Sequence, residues 1–396
     1  MQKTNHPMLM LLIAVFVIFL AGQNAIAGSF MDKFIDPKDG KFDASDWFLK
    51  HKGFLPVPLI VTEPAVGFGA GLNVMFFHQS MDEKIAKRQI DTDETVGGKK
   101  IKLLPPSISG AYGFKTENDT WSAGGYHFGS WKGDRIRYVG ALAKASVNIK
   151  YYGRSDDSIL KNGLDYNLDG WFFYQDLMFR MGSTDIFIGG KFTYFDATST
   201  FDFGQNPTGI ETWELDFKNA GLGLSFGYDT RDNLFAPSYG MHTDITATFF
   251  TGKGLLDKTR EYQITDLKNR WYREMVTDLV LGWKVEANLS SGNVPFYALP
   301  HISLRGIPIN RYQGTHALQT ELEATYNLTY RWALVPFAGV GATADALDEF
   351  GSGDPKFAGG LGFRYLIARQ MRLTAGADIA YSEEGWALYF KVGSGL

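Results

Sequence analysis

Residues 278–289 read DLVLGWKVEANL, and apolar and polar side chains alternate along this stretch. One face carries Leu279, Leu281, Trp283, Val285, Ala287 and Leu289, and the other includes Asp278, Lys284, Glu286 and Asn288. Because successive side chains of a strand point to opposite faces, the stretch predicts a β-strand with one apolar and one charged face. Its length suits a membrane barrel, in which a strand crosses in roughly nine to eleven residues.

The same alternation recurs elsewhere in the chain. Residues 318–328 set an apolar face against one that carries Glu321 and Glu323, and 371–381 and 222–229 repeat the pattern. We count about 16 such segments between residues 56 and 394, an even number, as closed bacterial barrels require. The sequence therefore predicts an all-β, transmembrane antiparallel β-barrel. A soluble β-sandwich would also alternate, but its strands are usually shorter.

The spacing of the strands predicts which connections share one end of the barrel. If both termini are periplasmic, the tight turns near 181–184, 330–332 and 368–370 face the periplasm. The longer segments 201–217, 291–315 and 344–355 then face outward. The charged segment 79–104 breaks this rule, because the same count of strands places this long connection on the periplasmic side. Either the first short strand is predicted wrongly or the segment is an unusual periplasmic loop.

The bulk composition excludes several classes of protein. The 396 residues include 45 Gly and 15% aromatic side chains, and only 21% are charged. A net charge of -4 provides no basic field, so nucleic acid is not an expected partner. There are no cysteines, which excludes disulfides, thiolate metal sites and anchoring through a lipidated cysteine.

The N-terminus has the pattern of a signal peptide. Lys3 precedes an apolar run over 8–21, and Ala25-Ile26-Ala27 supplies a cleavage site before Gly28. A retained inner-membrane anchor is the alternative, but the run is shorter than the roughly 20 apolar residues of a spanning helix. We expect residues 1–27 to be removed and the mature protein to reside in the bacterial outer membrane.

Residues 28–54 form a short segment ahead of the barrel domain, which we place at 55–396. The segment contains Asp36-Pro37-Lys38-Asp39-Gly40, then Asp43 and the apolar residues Trp47, Phe48 and Leu49. This pattern predicts a turn and a short helix capped by Asp43, which either plugs the lumen or lies on the periplasmic face. The spacing does not match a calcium loop, so a plain Asx turn is the better interpretation.

Three short segments of the predicted barrel domain carry motifs: Leu304-Arg305-Gly306-Ile307, residues 337–341 and residues 228–240. Together they resemble motifs of the BamA/TamA outer-membrane superfamily, the bacterial surface antigen barrels. Leu304-Arg305-Gly306-Ile307 resembles its Arg-Gly-aromatic signature on an inward-folded loop, here 291–315. Residues 337–341, FAGVG, resemble its Phe-x-Asp-x-Gly strand motif, but with Gly339 in place of the Asp. Residues 228–240 look like its hairpin motif, whose positions here are Asp229, Arg231, Asp232, Pro237 and Gly240. The resemblance covers roughly residue 55 to the C-terminus.

The resemblance implies a 16-stranded barrel in which Arg305 reaches into the lumen and pairs with an acid on the wall. A guanidinium in a confined lumen needs such a partner, and a carboxylate matches its donors. Glu323 is the first candidate and Glu321 the second, because both point inward on the following strand. The alternative is that Arg305 and Gly306 form a solvated surface turn.

The segment ahead of the barrel is too short for the periplasmic POTRA domains of BamA and TamA, so the chain resembles a minimal branch of the superfamily. We expect a transport or membrane-assembly component for protein or lipid. The alternatives are a passive diffusion channel and, less favoured, an outer-membrane lipid-modifying enzyme. Expected partners are outer-membrane lipids and, from the strand pattern of 383–390, the assembly machinery that inserts barrels; the chain is a monomer or homodimer.

The sequence offers no catalytic or metal-binding motif, so we expect neither an enzyme nor a cofactor. Residues 223–227, GLSFG, match the letters of a nucleophile elbow, but Ser225 lies inside an alternating strand rather than at a strand-to-helix turn. The seven histidines are dispersed, without a His-Glu-x-x-His zinc motif. A lipid-modifying enzyme would need a serine and a histidine brought together from different strands.

Overall fold

A computed structural model describes residues 34–83, 106–153, 160, 163–203, 212–252, 261–351 and 353–396. The expected signal peptide, residues 28–33 and most of the segment 79–104 lie outside these ranges. Within the described ranges, no helix is both long enough and apolar enough to cross a membrane.

Sixteen strands make up almost all of the described structure. They are β1 (Gly53–Val61), β2 (Gly69–Phe77), β3 (Ile108–Thr116), β4 (Trp121–Trp131), β5 (Ile136–Tyr151), β6 (Leu164–Arg180), β7 (Ile186–Asp202), β8 (Thr212–Asp229), β9 (Tyr239–Gly252), β10 (Tyr262–Val276), β11 (Leu279–Gly292), β12 (His316–Asn327), β13 (Trp332–Ala344), β14 (Lys356–Ala368), β15 (Leu373–Ser382) and β16 (Gly385–Val392). One short helix, α1 (Ser45–Lys50), precedes them.

The strands form a single sheet in chain order, in which each strand is antiparallel to its chain neighbours. This order excludes a sandwich, which would divide the strands between two sheets. The sheet curls into a nearly closed barrel whose two border strands are β1 and β16. The prediction of an all-β barrel with about 16 strands is therefore confirmed.

The two faces of the sheet carry the side chains that the alternation predicts. On β12, Leu322 is 58% exposed on the outer face, whereas the inward Glu321 is only 2% exposed. Outside the barrel, exposed Leu, Ile, Phe and Trp side chains form an apolar surface. Such a surface is stable against lipid but not against water, because exposed apolar area of this extent is unfavourable in water.

The connections divide between the two ends of the barrel as expected. The turns over 181–185, 328–331 and 369–372 lie at the end where the described chain begins, and 293–315 and 345–355 lie at the opposite end. β1, the first predicted strand, is present. The connection over 78–107 therefore joins β2 and β3 at the end of the barrel that carries the tight turns. β7 and β8 extend further than expected, which shortens their connection to 203–211.

The border strand β1 contains Pro56 and Pro58 on alternate positions. Proline has no N–H to donate, and within sheets it is confined to positions where that donor is not needed. Residues two apart in a strand point their backbone N–H groups to the same side. The hydrogen bonds between β1 and β2 are kept, so the two N–H groups that the prolines lack belong to the free edge of β1. This edge is poorly equipped to bond another strand.

The segment 34–50 packs against the end of the barrel that carries the tight turns. Arg331 donates to three carboxylates, at 2.6 Å to Asp36, 2.7 Å to Asp39 and 2.7 Å to Asp43. Asp36 also accepts a hydrogen bond from the backbone N–H of Lys38, which forms the expected Asx turn. The carboxylates that a calcium site would have used are therefore neutralised by arginine.

The helix α1 follows this turn and buries Leu49 against Met81, Ala368, Met371 and Leu373. Asp43 accepts a hydrogen bond from the N–H of Ser45 at 2.8 Å, although it stands one residue before the N-cap, Ala44. The helix thus lies against the ends of β14 and β15 rather than in the middle of the lumen.

The docking of this segment should depend on pH. Hydrogen bonds from Arg331 hold the pKa of Asp39 below its ordinary value. Because the pKa of Asp39 is lower in the docked state, docking is stabilised at pH values above the free carboxyl pKa of about 3.9. This stabilisation is lost as the pH falls through the lowered pKa of the docked state. We expect the segment to stay docked from neutral pH down to about pH 4 and to detach below it.

A spin label on Lys38→Cys, in a chain without other cysteines, would report the release as increased mobility in an EPR spectrum. The variant Arg331→Ala should be mobile already at neutral pH. A label that is equally immobile at pH 7 and pH 3 in the wild-type background would contradict the proposed carboxylate anchor.

Candidate functional site

The connection 293–315 folds back into the barrel as an irregular hairpin. Its two arms are joined by a β-bridge between His301 and Gln313 and by a hydrogen bond from the N–H of Ile302 to the carbonyl of Tyr312. A tight turn at the tip is closed by the N–H of Ile307 and the carbonyl of Leu304. The apolar side chains of Ile302, Leu304, Ile307 and Tyr312 are buried together with Ala358. The loop is thus part of the barrel interior.

Arg305 stands at the tip of this loop and is 94% buried, as its exposed fraction is 6%. Its guanidinium lies 2.8 Å from Glu321, 2.8 Å from Glu323 and 2.7 Å from Asp378. The carbon Cζ of Arg305 also lies 3.6 Å from the centroid of the Phe337 ring, a cation–π contact. The structure brings together both acids that the sequence singled out and adds a third, on β15.

Two further cations surround the same carboxylates. Arg364 on β14 pairs with Asp378, and Lys284 on β11 lies 3.9 Å from Glu321. With Glu286, which lies 4.0 Å from Lys284, the cluster contains four carboxylates and three cations. We call these seven residues the lumen charge cluster: Lys284, Glu286, Arg305, Glu321, Glu323, Arg364 and Asp378. Each charge in it is at least nine-tenths buried, so each relies on its neighbours for stabilisation.

Gly306 allows the chain to turn directly after Arg305. Its φ of +99° favours glycine, and an added Cβ would lie 3.2 Å from that of Ala380. Its N–H donates to the hydroxyl of Tyr389 at 2.9 Å, and its carbonyl accepts from the hydroxyl of Ser382 at 2.7 Å. The Arg-Gly pair is therefore fixed against β15 and β16, and the expectation of a solvated surface turn at Arg305 and Gly306 does not hold.

Gly339 departs from the motif of the superfamily, and the packing gives a reason. A Cβ at this position would lie 2.8 Å from a methyl group of Leu304 and 2.9 Å from the carbonyl of Thr320. An aspartate would not fit unless the loop moved. The carboxylate missing from β13 has a counterpart in Asp378 on β15, which reaches the same guanidinium from another strand.

The base of the loop reaches the opposite wall of the barrel. The ring of Phe296 lies 5.3 Å from that of Tyr166 and 5.2 Å from that of Phe201, and Tyr297 bonds to Asn219. These partners belong to β6, β7 and β8, whereas the tip contacts β12 to β16. The loop consequently crosses the lumen from one wall to the other.

The loop tip also contacts the start of the barrel. The N–H of Ile309 donates to the carboxylate of Glu63 at 3.1 Å, in the turn between β1 and β2. On the other side of the barrel seam, Arg311 lies 2.8 Å from Glu384 and Tyr312 donates to Glu383 at 2.5 Å, in the turn between β15 and β16. Both borders of the sheet are therefore tied to the same loop.

The hairpin motif lies at the opposite end of the barrel. Asp229 is buried and accepts from Arg231 at 3.0 Å and from Arg137 at 3.2 Å. Asp232 closes the turn by accepting from the N–H of Ser238 at 2.9 Å. The turn also includes Pro237, and Gly240, at a φ of +105°, packs so tightly against the carbonyl of Thr230 that a Cβ could not be accommodated.

This turn between β8 and β9 reaches across the barrel mouth. Asp232 pairs with Arg372 at 2.9 Å, and Asn233 donates to the carbonyl of Met371 at 3.0 Å, both in the turn between β14 and β15. β8 and β14 lie six strands apart, so the contact spans the opening. The hairpin motif lies away from the Arg305 loop and reaches across the other end of the lumen.

Asp378, Arg364, Tyr389 and Glu63 were not identified as site residues from the sequence. The alternation over 371–381 puts Asp378 on the polar, inward face of its strand. Arg364 is the cross-strand partner of Gly376, the neighbouring inward position. An inward acid and an inward base on adjacent strands are a signal for such a pair. No comparable local signal marks Tyr389 or Glu63.

Within the described ranges, no group of three or more His, Asp or Glu side chains is arranged to hold a metal ion. Ser225 lies within β8, is 2% exposed and faces inward. The geometry around it is therefore that of a strand, as the alternation of its neighbours predicted, rather than that of a nucleophile elbow.

No family model and no curated protein matches this sequence. Among solved structures, BamA from Haemophilus ducreyi lacking POTRA domains 1-3 is similar with a TM-score of 0.55 and 11% identity, over 87% of this chain and 70% of that chain. CdiB from Acinetobacter baumannii is similar with a TM-score of 0.51 and 9% identity, over 86% of this chain and 59% of that chain. CdiB from Escherichia coli is similar with a TM-score of 0.50 and 10% identity, over 85% of this chain and 61% of that chain.

This chain thus spans about 60% of the length of the two CdiB chains. At identities near 10%, the likeness concerns the fold alone, and it agrees with the barrel that the resemblance implied. The chain has the β-barrel fold of the BamA and CdiB structures.

Proposed function

We propose that this chain is an outer-membrane transport or membrane-assembly component for protein or lipid, in which the loop carrying Arg305 holds the barrel closed at rest. The observation that carries the proposal is that this one loop contacts both borders of the open seam between β1 and β16. A protein or lipid client that leaves the lumen sideways into the membrane requires such a seam, and the loop would control the opening of the seam.

The seam is the place where the barrel is easiest to open. Within the described residues, β1 is bonded only to β2 and β16 only to β15. Each ladder hydrogen bond contributes on the order of 1 kcal/mol, so parting an unbonded pair costs far less than parting any other two strands. The prolines of β1 also weaken its free edge as a partner for β16.

The lumen charge cluster supplies the attachment on one side of this seam. Arg305 joins the loop to β12 through Glu321 and Glu323, and to β15 through Asp378. Removing one partner of a buried ion pair costs about 3–5 kcal/mol, because the remaining charges stay buried and unpaired. An attachment of this strength can hold the loop in place and still be displaced by a client that offers competing contacts.

Export and membrane insertion support the same proposal. The signal-peptide pattern over 1–27 and the apolar outer surface fit an outer-membrane protein, and lipids and the barrel-assembly machinery are its expected partners. Solved structures with this barrel fold include BamA and CdiB, which agrees with the outer-membrane role that the sequence resemblance implies. Monomer and homodimer both fit this role, and we propose no catalytic activity.

A passive diffusion channel is the second candidate, and conductance separates it from the first. In planar bilayers, we expect the refolded wild type to show small, flickering conductance, because the loop crosses the lumen. Arg305→Ala should give larger, steadier conductance and should lower the resistance of the folded barrel to heat, since it costs about 3–5 kcal/mol at a buried ion cluster.

The matched control is Lys191→Ala. Lys191 faces the lumen from β7, away from the lumen charge cluster, and has no ion pair with the described residues. It should leave both conductance and heat resistance near the wild-type values. Large, steady conductance in the wild type and in all variants would instead support the diffusion channel.

The contact at Glu63 tests the other border of the seam. Glu63→Ala removes the acceptor of the Ile309 N–H, so we expect more frequent channel openings than in the wild type. Glu63→Gln keeps an acceptor oxygen and should behave like the wild type. If Glu63→Ala and Arg305→Ala act on one loop, their combined effect on open probability should be smaller than the product of the single effects. Independent effects would show that the loop does not join the two borders.

A further inference from the structure

Three hydrogen-bonded polar side chains lie together on the outer face of the barrel, which is largely apolar. The hydroxyl oxygen of Ser109 lies 2.8 Å from Nε2 of His78 and 2.8 Å from Nδ1 of His127. Ser109 is paired with Phe76, which lies on the same face of β2 as the 48% exposed Leu72. Cross-strand partners share a face, so this hydrogen-bonded group faces the membrane rather than the lumen.

Aromatic rings place this group at the border between lipid and water. The ring of His127 lies 5.9 Å from that of Trp131, stacked on it, and 5.9 Å from that of Tyr138. The hydroxyl of Tyr138 donates to Gln175 on β6. Trp and Tyr concentrate at membrane interfaces, where one edge of the ring is apolar and the other is hydrated. The group therefore lies at the level of lipid headgroups, at the end of the barrel that carries the tight turns.

Two exposed cations closely follow Trp131, the residue whose ring stacks on His127. Lys132 and Arg135 are exposed in the turn that follows Trp131, and within the described part of the chain neither side chain has an ion pair or hydrogen bond. The acid in the same turn, Asp134, is buried and is bound to Arg137 and Arg180 instead. This turn thus exposes positive charge that the described residues do not neutralise.

We infer that these side chains form a binding site for the headgroup of an anionic phospholipid. Polar groups on a lipid-facing surface are costly unless they have partners, and a phosphate would accept hydrogen bonds from the histidine rings, Lys132 and Arg135. Trp131 and Tyr138 would pack against the glycerol region. The inference goes beyond the proposed transport role and rests only on the barrel being inserted in a membrane.

The same geometry does not form a hydrolase site. Nucleophilic serine needs a histidine that is oriented by a third group, usually a carboxylate, and donors for the oxyanion. Among the described residues, neither His78 nor His127 is hydrogen-bonded to a carboxylate, and both rings contact the same hydroxyl. The Ser109 hydroxyl has one proton, so it donates to one ring and accepts from the N–H of the other. The ring that accepts from Ser109 carries an N–H on its other nitrogen, which can donate to a phosphate oxygen.

The test is native mass spectrometry of the full-length refolded protein in detergent, titrated with phosphatidylglycerol or with phosphatidylcholine as the neutral probe. We expect the wild type to retain phosphatidylglycerol in preference to phosphatidylcholine. Lys132→Gln with Arg135→Gln should weaken retention of phosphatidylglycerol roughly thirtyfold, since each cation near the surface contributes about fivefold. Ser109→Ala with His127→Ala should weaken it as well.

Lys115→Gln is the matched control, because Lys115 lies on the same outer face at the opposite end of β3 and is paired with Asp119 at 2.7 Å. It should retain phosphatidylglycerol as the wild type does. Heat-modified gel mobility would confirm that each variant is folded before it is compared. Equal retention of the two lipids by the wild type, or unchanged phosphatidylglycerol retention in the Lys132 and Arg135 double variant, would overturn the inference.

Discussion

The burial of Arg305 inside the barrel is the constraint on which the rest of the structure depends. A guanidinium removed from water is stable only where carboxylates replace its hydration, and here they come from two different strands, as Glu321 and Glu323 on β12 and Asp378 on β15. The loop can occupy the lumen because these strands present acids at the height its tip reaches. The strands in turn can carry buried acids because the loop supplies the cation.

This mutual dependence shapes the surrounding packing. Gly339 leaves room for Leu304, and the backbone of Gly306 is held by Tyr389 and Ser382. The loop thus fills a specific shape as well as satisfying charge. A loop that is anchored both by packing and by ion pairs has one well-defined resting position, which is what a barrel that is closed at rest requires.

Different elements reach across the two ends of the barrel. At one end the loop crosses the lumen between the aromatic group around Phe296 and the lumen charge cluster. At the other end the turn between β8 and β9 reaches Met371 and Arg372, and the segment 34–50 packs beside it through Arg331. The β-sheet itself remains open between β1 and β16, so the contacts that tie its borders together come from side chains and loops rather than from the ladder.

Alternation with a period of two is a local property of the chain, so the strands and the faces of their side chains could be predicted from the sequence. The resemblance to the superfamily added the inward loop with Arg305, and the alternation singled out Glu321 and Glu323 as inward acids on the following strand. The role of Asp378 could be seen only in the fold, as could the contact of Glu63 with the loop and the grouping of His78, Ser109 and His127. These contacts depend on how the sheet curls and on the register of strands that are distant in sequence, and no local pattern encodes either of them.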